Sequence, residues 1–427
     1  MIDSSTHNVS SKLVEGFKSY IPFFQKLLLV SISFPHITLG LVPAETSPFP
    51  LLIAFVLICL ERKIDSIFIY LSLFLIFLWA VTIPQGINLL DGIEQLFVYF
   101  QNVFVAFYIF KCGLTHISKN FCLGIIGFHL ATGIVFILGF NFLNDILVLL
   151  SSERLDALIN RGQGSRFFST EPSEALGSII FVLMLYSLNK FENRNFIIIS
   201  TLLITTILSS SGTSFLLTSI FLISYTLYKF KLRILLPITL IFLAIMNYIS
   251  PFLLTLDIDN RIFYLFQTML NLSFFEIISL INLTSGFRFT LDFASFYSIF
   301  ILQPYYGIGT ASANSLYALS SFGVDLQNFS EFTYQNIKNL KPTSLTATML
   351  LELGILGLLI IGLFIFRMKE YFKLILFSKM FSNFEKSLFI LAVFKLIFIM
   401  IVGTPASLAL VFLMFYFIRE KLSKINI

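Results

Sequence analysis

The sequence predicts an all-α polytopic inner-membrane protein with about twelve transmembrane helices, and three observations carry that prediction. First, the 427 residues are 57% hydrophobic and 12% charged, with a mean hydropathy of +0.92. A soluble domain of this length cannot bury so much apolar surface. Second, apolar runs recur along the chain at close to the ~20 residues needed to cross a hydrocarbon core as a helix. Third, the segments between those runs alternate between carrying Lys or Arg and carrying none, as the positive-inside rule requires.

The elements follow in order. Residues 1–20 are polar, lack a small-residue cleavage site and read as a cytoplasmic tail. Nine spans are expected near 21–42, 45–60, 65–84, 96–111, 120–140, 173–189, 195–209, 212–229 and 234–255. Three more are expected near 344–366, 387–402 and 404–418, before a cytoplasmic tail at 419–427. Lys12, Lys18, "ERKID", "KCGLTHISK", "NKFENRN", "KFKLR", the basic stretch from Arg367 to Lys386 and "REKLSKINI" all fall on the cytoplasmic side. The opposite short loops, "ETSPF", "QGINLLDGIE", "SSSGTS" and "GTPAS", hold no Lys or Arg. The run 195–229 must cross twice, or the basic segments at its two ends would face opposite sides. Both termini are therefore expected in the cytoplasm. The three cysteines, Cys59, Cys112 and Cys122, then lie at or near the inner face, which agrees with a bacterial inner membrane bordered by an oxidising periplasm.

Two outer segments are long: 141–172, and 256–343 between spans nine and ten. Together they hold all seven outward-facing cations: Arg154, Arg161, Arg166, Arg261, Arg288, Lys338 and Lys341. Positive charge is disfavoured on that side, so its presence points to an anionic ligand. The large loop has no counterpart in the first half, whereas a transporter of two equivalent halves tends to show such symmetry.

The stretch "RGQGSRFFSTEPSEALG" (161–177) supports two readings. In one it is an ordinary helix start, with Glu171 at the N-cap, Pro172 at the first position and Glu174 at the third. In the other, Arg161 and Arg166 grip phosphate oxygens with forked donors, and glycines let backbone N–H groups approach. Glu171 or Glu174 then orients an arginine or takes a proton from a sugar hydroxyl. The helix-start reading accounts for the acids and leaves the arginines unexplained.

In "TSGFRFTLDFASFYSIFILQPYYGIGTASAN" (284–314), Arg288 precedes Asp292 by four residues, so on a helix the two share a face. The bland reading is a loop ion pair of little value. Gly307 and Gly309 of "GIGT" form a turn without the strand–helix context of a nucleotide fingerprint. Glu352 falls inside a span, where an acid either serves function or is hydrogen-bonded in the interior. Gly354, Gly357 and Gly362 are expected to serve close helix packing. Lys395 is mid-span and expected to pair with Glu352 or another acid. His36 and His129 read as buried, satisfied histidines, and "SSSGTS" as a small polar turn able to pack against the site. No metal-ligand spacing and no Walker sequence occurs, so neither a metal nor ATP is expected.

In order and topology these motifs resemble the O-antigen polymerases (Wzy) and, more distantly, the O-antigen ligases. The resemblance rests on the arginine-plus-"EPS" stretch, "LSSSGTSFLLTSI" at 208–220, "SGFRF" followed by "QPYYGIGT", and "LLELGILGLL" at 350–359, so it covers roughly residues 160–365. The ligases carry a histidine in the late outer loop, and 256–343 has none, which favours a polymerase. The resemblance implies a GT-C-like membrane glycosyltransferase without cofactors. Its donor is a growing glycan on undecaprenyl pyrophosphate, and its acceptor is a repeat unit on the same carrier. It implies pyrophosphate binding by Arg161, Arg166, Arg288 and Arg261, a base in Glu171 or Asp292, and support from Glu174, Glu352, Gly307 and Gly309. The bilayer and a chain-length regulator are its implied partners, with no role for nucleic acid. A ligase and a lipid-linked oligosaccharide flippase remain the alternatives.

Overall fold

The computed structural model describes residues 19–34, 48–82, 89–138, 146, 167, 172–189, 191–209, 211–230, 345–401 and 408–423. Among the described residues the regular structure is entirely α-helical, with no strand. The helices are α1 Ile21–Ser33, α2 Phe49–Leu60, α3 Ser66–Thr82, α4 Leu89–Cys112, α5 Lys119–Ile137 and α6 Pro172–Leu188. They continue as α7 Arg194–Ser209, α8 Gly212–Phe230, α9 Leu345–Leu353, α10 Ile355–Phe377, α11 Asn383–Ile401 and α12 Leu408–Ser423. By length and composition, one of these, α5, suffices on its own to cross a membrane, with a hydropathy of 1.9. α1, α2 and α7 are shorter apolar helices.

Each described helix overlaps a stretch where the sequence predicts a span, but α4 starts within the loop expected at 85–94, and α10 runs on to Phe377 through residues expected in a cytoplasmic basic segment. The span expected at 234–255, most of the outer segment 141–172 and the loop 256–343 lie outside the described residues. One expected span is built differently. The run 344–366 is two helices, not one, because Gly354 takes a left-handed backbone (φ 58) between α9 and α10. A Cβ on Gly357 would stand 2.3 Å from the Met349 carbonyl oxygen, so this glycine does serve close packing. Among the described residues nothing lies within 4 Å of a Cβ built on Gly362, so no close packing is seen there.

The chain divides into two compact units. The first comprises residues 1–74, 97–215 and 408–427. In it α5, α6 and α7 pack against one another, α1 packs on α2 and α6, and α12 packs on α6. α6 is the central helix, and from Ile179 to Tyr186 its side chains are fully buried. Its sequence, "PSEALGSIIFVLMLYSL", is apolar on every face over that stretch, the pattern of a helix surrounded by others.

The second unit comprises residues 75–96 and 216–407. α9 packs against α10 and α11. Phe384 of α11 meets Phe221 and Tyr225 of α8 edge-on, at 5.5 and 5.4 Å. Asn383 Nδ2 donates to the Tyr228 carbonyl oxygen at 3.0 Å.

Candidate functional site

The arginine-rich stretch 161–177 enters the described structure at Phe167 and again at Pro172. Phe167 is completely buried. Its ring lies flat on His129 of α5, with centroids 4.2 Å apart and planes 10° from parallel. His129 and Gly133 are one turn apart on α5, so they share a face. A Cβ on Gly133 would stand 2.2 Å from the Phe167 ring. The glycine therefore makes the slot that the ring occupies.

Phe167 takes a left-handed backbone, φ 57. For a residue with a Cβ this costs about 1–2 kcal/mol. A stacked pair of rings returns about 0.5–1.5 kcal/mol, and burying the ring adds about 1.5–3 kcal/mol. Burial thus decides the balance, and the seat holds against its own strain.

Five residues on, α6 begins at Pro172, the first helical position predicted for it. Glu174 is in its first turn, at the expected third position. Ala175 and Leu176 are already buried, so the helix enters its packed environment within one turn.

The polar residues around α5 to α8 form a second feature of this unit. Thr201, Thr205, Thr206 and Ser209 of α7 are buried, as are Ser211 and Ser214 in the following turn and α8. Thr206 Oγ1 donates to the Leu202 oxygen at 2.8 Å and lies 3.3 Å from the Ser214 oxygen. Among the described residues, Thr205 Oγ1, Ser214 Oγ and His129 Nε2 are buried without a hydrogen-bond partner. The "SSSGTS" turn is thus part of a buried polar region. His129 is buried as expected, yet its ring nitrogen is not satisfied as expected.

Elsewhere in this unit, polar groups on α1, α4 and the segment between α2 and α3 are tied together. Tyr108 Oη donates to Glu61 Oε1 at 2.5 Å and accepts from Gln25 Nε2 at 2.7 Å. Gln25 Oε1 in turn accepts from the His116 backbone N–H at 3.0 Å. Lys111 pairs with Asp65 at 2.6 Å. Asp65 also caps α3 by accepting from the Phe68 N–H at 2.9 Å. The hydrogen bond from Lys111, and then that from Phe68, hold the Asp65 carboxyl below the ordinary carboxylate range. Gly113 (φ 68) closes α4, and a Cβ there would strike the Tyr416 ring. The Arg419 guanidinium covers Phe110 and Tyr416 and donates to the Lys111 oxygen. All three cysteines are free.

Of the residues singled out from sequence, Glu174 lies in the first turn of α6, and Glu352 is buried in α9. The helices bearing Glu352 and Lys395 pack on each other, and Lys395 is buried too. Arg161, Arg166, Glu171, Arg261, Arg288, Asp292, Gly307 and Gly309 lie outside the described residues, as does His36. Among the described residues no three His, Cys, Asp or Glu side chains gather as a metal site. Sequence reasoning passed over Phe167 and Gly133. With 53 phenylalanines in the chain, composition gives no contrast by which to single one out. Phe167 directly follows Arg166, and that position is the available signal. Comparison with family models, with curated proteins and with solved structures gives no match.

Proposed function

We propose that this chain is a twelve-span, GT-C-like polysaccharide polymerase of the bacterial inner membrane, with both termini in the cytoplasm. It transfers a growing glycan from undecaprenyl pyrophosphate to the non-reducing end of a carrier-linked repeat unit. The observation that carries the reading is the strained, fully buried seat of Phe167 next to Arg166 and just ahead of the α6 start. Strain held by surrounding structure concentrates at functional sites, and this one adjoins the outward-facing arginines.

The membrane part of the reading is supported by an inverted burial pattern. Tyr70, Phe77, Phe196, Ile207 and Leu363 stand exposed on helices, while Gln25, Thr205, Ser209, Glu352 and Lys395 are buried. Lipid is the solvent that favours such an exterior, and polar side chains within it turn to the protein interior.

In the reaction, fixed arginines stabilise the pyrophosphate charge that develops as the glycosyl bond breaks, without need of metal. Arg161 and Arg166 supply one side of that clamp, with Arg288 and Arg261 of the late loop opposite. The acceptor hydroxyl loses its proton to Glu171 or Asp292. Attack opposite the leaving group inverts the anomeric centre. The bond energy is already in the donor, so no nucleotide is consumed.

Deleting the gene and resolving surface polysaccharide on a gel tests this. Loss of a polymerase leaves single repeats on the core. A ladder replaced by no repeats indicates a flippase, and long chains retained on the carrier indicate a ligase. Arg161→Ala and Arg288→Ala are each expected to cut polymer formation by about 10²-fold or more, at normal expression. Full-length chains from either variant would remove the clamp.

A further inference from the structure

We infer that the C-terminal end of α10 is a site for an anionic phospholipid, with Lys373 on the headgroup phosphate and Leu374 and Phe377 against the acyl chains. The inference rests on the membrane part of the proposed reading and not on the polymerase part. It starts from the break at Gly354. A Cβ on Gly357 would stand 2.3 Å from the Met349 carbonyl oxygen, whereas residues eight apart on one straight helix are separated by about 12 Å along its axis. α9 therefore folds back beside the first turns of α10, on which it packs, and adds little to its reach. The apolar part of α10, from Ile355 to Phe366, rises only about 18 Å, and a hydrocarbon core is about 30 Å thick. All 23 residues of α10 together rise about 34 Å. A crossing must then draw on the residues beyond Phe366, which the sequence alone assigns to the cytoplasm.

The surface of α10 points the same way. Leu359, Leu363, Phe366, Glu370, Lys373 and Phe377 recur at steps of three and four, so they share one face. The stripe that is uncovered at Leu359, Leu363 and Phe366 thus continues to Phe377, which is 82% exposed, with Leu374 exposed beside it. Glu370, Lys373, Leu374, Phe377 and Ser378 line a groove there that combines charged and apolar side chains. Lys369, Lys373 and Lys379 are all exposed, and Glu370 is the one acid from Arg367 to Lys379. An apolar surface edged by excess positive charge selects anionic lipid. The lysine stems lie along that surface while their ammonium groups reach the phosphates.

Single-tryptophan proteins reconstituted in vesicles test the site. Trp79, the one tryptophan of the chain, is replaced by Phe. A probe is then introduced by Phe377→Trp or, as a reference on the same face, by Leu363→Trp. The vesicles are phosphatidylcholine with a minor fraction of dibrominated lipid, bearing either a phosphatidylglycerol or a phosphatidylcholine headgroup. Bromine quenches a tryptophan that it touches. The probe at position 363 is expected to be quenched alike by both lipids. The probe at position 377 is expected to be quenched with a preference for phosphatidylglycerol of about fivefold or more, the worth of one lysine at an anionic surface. Replacing Lys369, Lys373 and Lys379 together by Gln is expected to abolish that preference and leave position 363 unchanged. Equal quenching of position 377 by the two lipids overturns the site. So does a probe at 377 that only iodide in the water reaches, or one shielded from both quenchers, as a second copy of the chain would shield it. In each of these cases quenching at position 363 leaves the membrane reading standing. An unquenched position 363 removes that reading and the site with it.

Discussion

Two regions of the first unit handle polar side chains in opposite ways. Where α1, α4 and α5 meet near Gln25, a chain of donors and acceptors runs from the His116 N–H through Gln25 and Tyr108 to Glu61. The Lys111–Asp65 pair adds to that network; among the described residues Ser187 Oγ, near the C-terminus of α6, is also buried without a partner. Elsewhere in the unit the hydroxyls of Thr205 and Ser214, and the ring nitrogen of His129 beside Phe167, are buried without partners among the described residues, and the Phe167 backbone is strained. Buried polar groups are normally satisfied, and each exception asks for a reason. The satisfied region is arranged for stability. The other region carries backbone strain at Phe167 that its burial outweighs, leaves several buried polar groups unpaired, and lies just after the arginine-bearing stretch.

Substitutions can reverse this contrast. The largest effect is expected in the satisfied region. Tyr108→Phe removes the donor to Glu61 and the acceptor for Gln25 in one step, with Tyr108 fully buried. Gln25 Nε2 still donates to Glu61 Oε1 at 3.4 Å, so the loss is that of the two shorter bonds through Tyr108, about 1–3 kcal/mol in all. Denaturation in detergent is expected to show a loss of that order, while the activity of each folded molecule stays at the parental level. A neutral Tyr108→Phe would erase the distinction between the regions.

In the other region the sign changes. Thr205 is fully buried and its hydroxyl has no partner among the described residues. Thr205→Val keeps the shape and removes the unsatisfied group, so stability is expected to hold or rise by about 1 kcal/mol. The same denaturation measurement decides. A clear loss would mean that the hydroxyl is satisfied in the working protein and that this region is no less complete than the other.

How far the sequence foretold these regions follows from the range of the interactions involved. Helix positions were legible because each depends on a contiguous apolar run and on local punctuation, such as Pro172 ahead of α6. The Gly354 break inside 344–366 was not, because a glycine that packs and a glycine that turns look alike until a backbone angle is known. The Gln25–Tyr108–Glu61 network joins residues 36 and 83 positions apart, and no spacing rule reaches that far. "ERKID" was read for its positive charge, whereas in the structure its acids, Glu61 and Asp65, make the contacts. The seat of Phe167 depends on an absent side chain on another helix, a complementarity that only three dimensions display. The clamp arginines remain an inference from their side of the membrane and their order in the chain.

The smallest effect is expected at the Lys111–Asp65 pair, whose side chains are each about a third exposed (28% and 34%). Solvent screens such pairs strongly, so the satisfied region owes less to this charge than to its buried hydrogen bonds. The Asp65 carboxyl is held below its ordinary value, first by Lys111 and then by the Phe68 N–H. A carboxyl with a depressed folded-state pKa stabilises the fold above its unfolded value, about 3.9. That contribution is lost as the pH falls through the folded-state value. The melting temperatures of the parent and of Asp65→Asn are therefore expected to differ slightly at pH 7 and to converge as the pH is lowered below about 4. Little of the difference should persist in high salt, because Asn keeps the cap on α3 through its side-chain oxygen while the ion pair is screened. A gap that widens on acidification would give the pair the wrong sign and transfer the stability of this region wholly to Tyr108 and its neighbours.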